Sequence, residues 1–292
     1  MGTPFKPARM VEPDGKSRVV RLGQSRSLWS DLYHFLLALP WSGFLGLIAL
    51  LYLAINTLFA LAYLLGGDCI QNARPGSFID AFSFSVQTMA TIGYGAMYPT
   101  TTYAHSLVAF EALVGLLGFA MATGLMFARF SRPTARVLFS RIAAIAPQNG
   151  VPTLMFRTAN QRRNQILEAN IWVALARSEL NEEGQFMRRI HDLKLIRNRT
   201  PIFALSWTVM HPIDQNSPLW GATPESLDKQ AAEIIVTLTG LDDTFSQTVH
   251  ARHSYIAAEI LWDRYFVDLF SQDPDGRYAI DYRHFHHVKP LQ

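Results

Sequence analysis

The sequence predicts a two-part protein in which a helical membrane domain is followed by an all-β sandwich. The 292 residues suffice for about two domains, and the mean hydropathy of +0.10 suits a small membrane part joined to a larger soluble part. Two long apolar segments occupy the first half, and short alternating runs separated by turns occupy the second. We place the domains at residues 1–40, 41–132 and 133–292.

Each apolar segment is long enough to cross a membrane. Trp41 to Leu65 carries no charge and, as a helix, spans ~37 Å against a hydrocarbon core of ~30 Å. Thr102 to about Ala128 has no Lys or Arg, and its only acid or imidazole groups are Glu111 and His105. Buried core helices of a soluble protein are the alternative, but this length with so little charge favours the membrane.

Basic residues flank the two segments on the side away from their connection. They are Lys6, Arg9, Lys16, Arg18, Arg21 and Arg26 before the first segment, and Arg129, Arg132, Arg136 and Arg141 after the second. The connection holds only Arg74, against Asp68 and Asp80. This asymmetry predicts that both termini are cytoplasmic. We also expect no cleaved signal peptide, so the first spanning helix directs its own insertion.

The connection contains a short helix that cannot span. Pro75-Gly76 predicts a turn, Ser77 an N-cap, and Asp80 lies in the first turn, where negative charge suits the helix dipole. The run Phe78 to Met89 then predicts a helix that enters the membrane from outside and stops midway. Its C-terminal end, with partial negative charge, would face a cation near the membrane centre.

Thr91-Ile92-Gly93-Tyr94-Gly95 follows this helix directly. Glycine at alternate positions permits left-handed backbone, and alternating handedness points successive carbonyls to one side. The string resembles the Thr-Val-Gly-Tyr-Gly filter of potassium channels, whose carbonyls replace the hydration shell of K⁺. We therefore predict K⁺ coordination by Thr91, Ile92, Gly93 and Tyr94. One chain supplies one strand of such a ring, so a homotetramer is expected.

The second spanning segment carries a stripe of Gly115, Phe119, Thr123 and Phe127 at four-residue spacing. If the stripe faces a pore, Phe119 lines a cavity and four Phe127 rings form an apolar gate. Aromatic residues also pack against lipid or neighbouring helices, so the spacing leaves both interpretations open. Glu111 is an acid within the membrane, for which a functional or paired role is the default.

Ser27 to Leu39 predicts an amphipathic helix at the membrane interface, ended by Pro40. After Pro133, alternating runs such as Thr153 to Arg157 and Glu233 to Thr239 predict strands of an antiparallel sandwich. We find no dinucleotide fingerprint, zinc spacing or nucleophile elbow, so the sequence favours neither an enzyme nor a cofactor. We assign no role to the histidine clusters His250, His253, His284, His286 and His287.

The chain resembles prokaryotic inward-rectifier potassium channels of the KirBac type. The matching strings run from the connection to near the C-terminus: Asn72-Ala-Arg-Pro-Gly-Ser77, Phe84 to Gly95, Phe127 to Pro133, Leu154-Met-Phe-Arg157, Pro201 to Asp214, His250 to Tyr255, and Glu259-Ile-Leu-Trp262. The resemblance implies a homotetramer in a bacterial inner membrane. Each subunit would have a slide helix, two transmembrane helices, a pore helix and a cytoplasmic immunoglobulin-like sandwich.

The resemblance also implies site residues and a regulator. It places the gate at Phe127, the cavity position that controls rectification at Phe119, and hinges at Gly115 and Gly124. It implies gating by anionic lipid, notably phosphoinositide, with Arg129, Arg132 and Arg136 as the matching basic residues. Thr134 and Ala135 are uncharged where animal relatives carry charge, which argues against activation by the lipid. The resemblance to the bacterial relatives implies inhibition instead.

Three departures from the family pattern are visible in the sequence. Phe119 is neutral where strong rectifiers have an acid, so we expect weak polyamine block. Gln87 and Ala96 replace acids that flank the filter in many relatives. Two other functions stay open at this stage: a non-selective cation channel with a relaxed filter, and a membrane-anchored binding or signalling module.

Overall fold

The chain divides into two compact units. A computed structural model describes residues 9–12, 32–131, 135–162, 164–272 and 278–291. One unit comprises Gly23–Arg132, and we call it the helical unit; the other comprises Met1–Leu22 with Pro133–Gln292, and we call it the β unit.

Over its described residues, 32–131, the helical unit contains four helices and two very short strands. In chain order they are α1 (Leu32–Ala38), α2 (Trp41–Leu65), β1 (Ile70–Gln71), α3 (Phe78–Met89), β2 (Tyr98–Pro99) and α4 (Thr102–Phe130). The sequence predicted the bounds of α2 and α3, whereas α4 continues two residues past the expected end at Ala128 because nothing there breaks the helix. Residues 27–31 of the predicted interfacial helix lie outside the described residues.

Local polar contacts fix the start of α3. The Ser77 hydroxyl accepts a hydrogen bond from the Asp80 N–H at 3.3 Å, which makes Ser77 the N-cap that the sequence predicted. Arg74 donates to the Asp80 carboxylate from its backbone N–H, Nε and Nη2, each at 2.9 Å. These hydrogen bonds hold the pKa of Asp80 well below its usual value. The turn before α3 and its first turn are thus tied together.

The three longer helices share one small apolar core. It consists of Phe59, Ala60, Tyr63, Cys69, Ile70, Ala81, Phe84, Met89 and Ala104. Outside this core, α2 and α4 are open: only 22% and 6% of their most apolar 18-residue windows are buried, with mean hydropathies of 2.3 and 1.8. Both are long and apolar enough to cross a membrane. Helices this exposed are not the core helices of a soluble fold.

The β unit is built mainly of strands. They are β3 (Val137–Phe139), β4 (Ala143–Gln148), β5 (Val151–Asn160), β6 (Ile166–Leu180), β7 (Phe186–Asp192), β8 (Arg199–Phe203), β9 (Ser206–Pro212), β10 (Glu233–Asp242), β11 (Gln247–Ile256), β12 (Ile260–Trp262), β13 (Arg264–Phe266), β14 (Phe270–Gln272), β15 (Tyr278–Ile280) and β16 (Val288–Pro290). A short helix, α5 (Pro224–Lys229), precedes β10.

Two five-stranded sheets form a sandwich, which confirms the predicted fold class. One has the order β11-β10-β6-β7 with β8 also paired to β6; the other has the order β12-β4-β5-β3 with β9 also paired to β5. Their facing side chains, such as Leu154, Phe156, Leu175 and Ile234, are at most 1% exposed and belong to one core. Apolar burial on this scale is the main stabilising term of such a domain.

One strand pair departs from the antiparallel sandwich expected from the sequence. β12 pairs with β4 in parallel, Ile260 opposite Ala143. The reason is that β11 lies in one sheet and β12 in the other, so the chain crosses between sheets through the 3₁₀ turn Ala257–Glu259. The predicted Asn149-Gly150 turn joins β4 to β5 with φ of 51° and 82°. The predicted Asp275-Gly276 turn lies outside the described residues.

Candidate functional site

The segment Thr91–Gly95 leaves the C-terminal end of α3 with an unusual backbone. The φ angles of Thr91, Gly93 and Gly95 are +56°, +56° and +80°, whereas Ile92 and Tyr94 between them have no positive φ. Left-handed backbone is easy for glycine and strained for threonine. The Ile92 N–H still donates to the Gln87 carbonyl at 2.8 Å, so this alternation starts from a firmly held helix end.

Alternating backbone of this kind suits carbonyl presentation to a cation. Peptide carbonyls that point to the same side form a column of oxygens, the arrangement that strips an ion of its water. The side chains of Ile92 and Tyr94 are 46% and 74% exposed in the single chain. A single chain therefore presents one such segment, and the side chains of that segment remain largely exposed.

The two glycines expected to be hinges lie in different environments. A Cβ added to Gly115 would lie 2.6 Å from the carbonyl oxygen of Met89, at the end of α3. Contacts this short do not occur for real Cβ atoms, so α4 packs on α3 only because residue 115 is glycine. A Cβ at Gly124 meets no described atom within 4 Å. Gly115 is thus a packing position, while Gly124 is free of such a constraint.

The aromatic residues of the α4 stripe face open space. Phe119 and Phe127 are 76% and 72% exposed in the single chain. They follow Gly115 by four and twelve residues, on a stripe that drifts around α4 by ~40° for every four residues. Two large apolar rings of α4 are thus left largely uncovered by the described residues of the chain.

Arg129, expected to bind lipid, is already engaged by protein. Its Nη1 and Nη2 donate to the carbonyls of Leu36 and Leu39 at 2.7 and 2.5 Å, at the C-terminal end of α1. Its guanidinium also lies 4.7 Å from the Trp41 ring centre and 4.5 Å from that of Phe44. Arg129 therefore ties the end of α4 to the junction between α1 and α2.

Two further arginines were predicted to bind lipid. Arg132 lies outside the described residues, and Arg136 belongs to the β unit, where its side chain is exposed. Among the described residues, no group of three or more His, Cys, Asp or Glu is placed to hold a metal ion.

Sequence reasoning singled out Glu111 but missed its partners. The carboxyl of Glu111 is fully buried and contacts the hydroxyls of Tyr63, at 2.6 Å, and Ser85. Ser85 in turn lies 3.0 Å from Asn56 Oδ1. The signal that was available is the presence of Asn56 within the largely apolar α2, since polar groups in such helices are usually paired.

Comparison with known proteins agrees with this geometry. A family model described as "Inward rectifier potassium channel C-terminal domain" matches residues 137–292, and one described as "Ion channel" matches residues 47–132. The chain is 53% identical over 289 residues to the inward rectifier potassium channel Kirbac3.1 of Paramagnetospirillum magnetotacticum, covering 99% of this chain and 98% of that one.

Animal channels are more distant relatives. The ATP-sensitive inward rectifier potassium channel 12 of Gallus gallus is 31% identical, over 88% of this chain and 65% of its own length. The inward rectifier potassium channel 18 of Homo sapiens is 30% identical, over 95% of this chain and 70% of its own. Both matched models and these relatives are ion channels, so the chain is a membrane channel and not an enzyme. It belongs to the inward rectifier potassium channel family.

Proposed function

We propose that four copies of the chain form one pore, in which the carbonyls of Thr91, Ile92, Gly93 and Tyr94 coordinate dehydrated K⁺. The observation that carries this proposal is the positive φ at residues 91, 93 and 95, directly after the C-terminal end of α3. The negative end of the α3 dipole adds to the attraction for a cation. A single strand cannot enclose an ion, so the site is incomplete without its symmetry mates.

The exposed face of α4 supplies the rest of the ion path. In a fourfold assembly, Phe119 lines a cavity below the filter and Phe127 forms an apolar constriction that closes by dewetting. Because Gly115 is packed against Met89, we assign the bending of α4 to Gly124. Gly115 instead holds the first part of α4 against the end of α3 while the helix bends.

The neutral cavity predicts a pharmacological property. Mg²⁺ and polyamines bind poorly to a ring of phenyl groups, so voltage-dependent polyamine block of the wild-type channel should be weak. Phe119→Asp should strengthen that block by at least about tenfold, because four carboxylates then face the blocker. Tight block of the wild type, measured in planar bilayers, would contradict the assignment of Phe119 to the cavity.

We place the protein in the bacterial inner membrane with both termini in the cytoplasm, from the basic residues that flank α2 and α4. Anionic lipid, phosphoinositide in particular, is the proposed regulator, with Arg129, Arg132 and Arg136 near the inner membrane surface. We expect the lipid to inhibit, since a headgroup that competes for the Arg129 guanidinium would loosen its contacts with Leu36 and Leu39. Rubidium uptake into liposomes with and without phosphoinositide measures the sign.

The decisive experiment is potassium-selective flux into liposomes. Gly93→Ala should abolish uptake, because alanine resists the φ of +56° at this position. Gly46→Ala is the matched control: it adds the same methyl group within α2, where a Cβ meets no described atom within 4 Å. A potassium-to-sodium flux ratio near unity would favour a non-selective cation channel instead.

A further inference from the structure

Four buried side chains connect the three long helices of the helical unit. They are Asn56 and Tyr63 of α2, Ser85 of α3 and Glu111 of α4, which we call the polar cluster. Asn56, Ser85 and Glu111 are 0% exposed and Tyr63 is 1% exposed. Polar groups this deeply buried must satisfy one another, because water does not reach them.

The cluster contains three contacts between oxygen atoms. Tyr63 Oη lies 2.6 Å from Glu111 Oε2, Glu111 Oε1 contacts Ser85 Oγ, and Ser85 Oγ lies 3.0 Å from Asn56 Oδ1. Each contact requires one hydrogen. The hydroxyls of Tyr63 and Ser85 supply two, and Asn56 Oδ1 supplies none. An ionised Glu111 would leave one pair of oxygens facing each other without a hydrogen.

Reversing the Asn56 amide does not provide the missing hydrogen. Its Nδ2 donates to the Tyr52 carbonyl at 2.7 Å and contacts Met89 Sδ at 3.3 Å. In the reversed orientation, Oδ1 would face the Tyr52 carbonyl oxygen with no hydrogen between them. The amide orientation is therefore fixed by its neighbours, and the third hydrogen must come from the carboxyl group.

The charge balance of the helical unit leads to the same assignment. Between Trp41 and Ala128 the only Lys or Arg in the sequence is Arg74, and its side chain is engaged with Asp80. A buried carboxylate with no cation beside it is strongly disfavoured.

We infer that Glu111 is a neutral carboxylic acid that donates to Ser85 and accepts from Tyr63, and that it acts as a positioning residue for the segment Thr91–Gly95. The hydrogen-bond chain runs from Tyr63 to Glu111, Ser85, Asn56 and the Tyr52 carbonyl. Asn56 also contacts the side chain of Met89, which lies two residues before Thr91. Gly115 packs against the carbonyl of the same Met89. The cluster thus holds the end of α3 against both neighbouring helices. The positioning role rests on the proposed function, whereas the protonation state does not.

The first test separates a neutral acid from a charged one by substitution. In the full-length protein in liposomes, Glu111→Gln keeps an acceptor for Tyr63 and gains N–H groups for Ser85, so K⁺ flux and the K⁺/Na⁺ ratio should stay within about twofold of wild type. Glu111→Ala should lower the ratio at least about fivefold, since it leaves buried partners unsatisfied. A glutamine variant as impaired as the alanine variant would overturn the neutral-acid assignment.

Tyrosine variants provide a matched comparison. Tyr63→Phe removes a hydroxyl of the polar cluster and should lower the K⁺/Na⁺ ratio. Tyr103→Phe removes a hydroxyl that donates to the Ala62 carbonyl at 2.9 Å outside the cluster and should leave the ratio unchanged. Equal effects of the two variants would remove the link between the cluster and selectivity.

The second test does not require channel activity. The infrared difference spectrum of wild type minus Glu111→Gln should show the C=O stretching band of a carboxylic acid, and Ser85→Ala should shift that band because the acid loses its acceptor. Carboxylate bands in its place would overturn the inference. If the glutamine variant does not assemble, the difference spectrum of wild type minus Ser85→Ala serves instead. A shifted carboxylic-acid band in that spectrum supports a neutral Glu111, and shifted carboxylate bands overturn it. Absence of K⁺ flux in the wild type would refute the proposed function while the spectrum still decides the state of Glu111.

Discussion

The β unit is closed over its own core, whereas the helical unit is open. In the β unit, Leu175 and Ile234 are 0% exposed within a core to which both sheets contribute side chains. In the helical unit, Phe119 and Phe127 are more than two-thirds exposed, and few residues of α4 are buried. The β unit is stabilised by apolar area that a single chain buries alone. The helical unit leaves most of the apolar surface of α2 and α4 exposed, and a few specific contacts join its helices.

This contrast explains where polar residues matter most. In the sandwich, a polar side chain at the surface faces water and contributes little. In the helical unit, Ser77, Arg129 and the polar cluster provide the directional contacts that apolar surfaces in lipid do not. We therefore expect the β unit to be destabilised by core substitutions that remove side-chain volume. We expect the helical unit to be destabilised by substitutions that disturb close helix contacts or remove hydrogen bonds.

The largest stability effect should come from the core of the β unit. Leu175→Ala should lower the free energy of unfolding by ~2–5 kcal/mol because it leaves a cavity between the sheets. Ile190→Ala, at a position 62% exposed on the neighbouring strand β7, should change it by less than ~0.5 kcal/mol. Thermal unfolding of the β signal by circular dichroism in the purified channel measures both. Similar losses in the two variants would contradict the closed-core description.

In the helical unit, an added methyl group should have a clear effect. Gly115→Ala forces a Cβ toward the Met89 carbonyl, and such overpacking costs ~1–3 kcal/mol. We expect a lower thermal midpoint of the assembled channel and reduced K⁺ flux. Gly118→Ala, where a Cβ meets no described atom within 4 Å, is the control. A Gly115→Ala channel with wild-type flux would show that the contact is dispensable.

Loss of a helix cap should have a smaller effect. Ser77→Ala removes the side-chain acceptor for the Asp80 N–H and should cost ~1 kcal/mol of α3 stability. Thr57→Ala removes an exposed hydroxyl that bonds only within α2, to the Leu53 carbonyl, and serves as comparison. The midpoint of channel unfolding should fall for Ser77→Ala and stay near wild type for Thr57→Ala; the reverse order would exclude the capping role.

The smallest expected effect is a pH dependence of the β unit. Burial lowers the pKa of His211 below its ordinary value of 6.5, although the Lys194 carbonyl, 2.7 Å from its Nδ1, opposes the shift. Below pH 6.5 the unfolded chain therefore takes up a proton that the folded chain does not. The stabilising contribution is complete above this pH and is lost as the pH falls toward the folded-state pKa.

A histidine substitution isolates that contribution. His211→Asn should flatten the fall of the unfolding midpoint between about pH 7 and pH 5, because it removes the proton that only the unfolded chain takes up. Equal slopes in wild type and His211→Asn would show that His211 does not contribute.

Much of the helical unit was predictable because its signals are local. The lengths of α2 and α3 follow from uninterrupted apolar runs, and the start of α3 follows from the Ser77 cap and the preceding turn. The positive φ at Gly93 and Gly95 follows from the glycines themselves. The parallel pairing of β12 with β4 was not predictable, because it depends on which sheet the chain enters after β11.

The sequence by itself determined the two-part architecture, the membrane-spanning helices and the segment Thr91–Gly95, since each rests on residue type and short-range spacing. Only the tertiary structure decided that Gly115 is held against Met89, that Arg129 is occupied by the end of α1, and that Glu111 meets Ser85 and Tyr63. The physical reason is that these contacts join residues between 26 and 93 positions apart, so their geometry is set by how helices pack and not by any local preference.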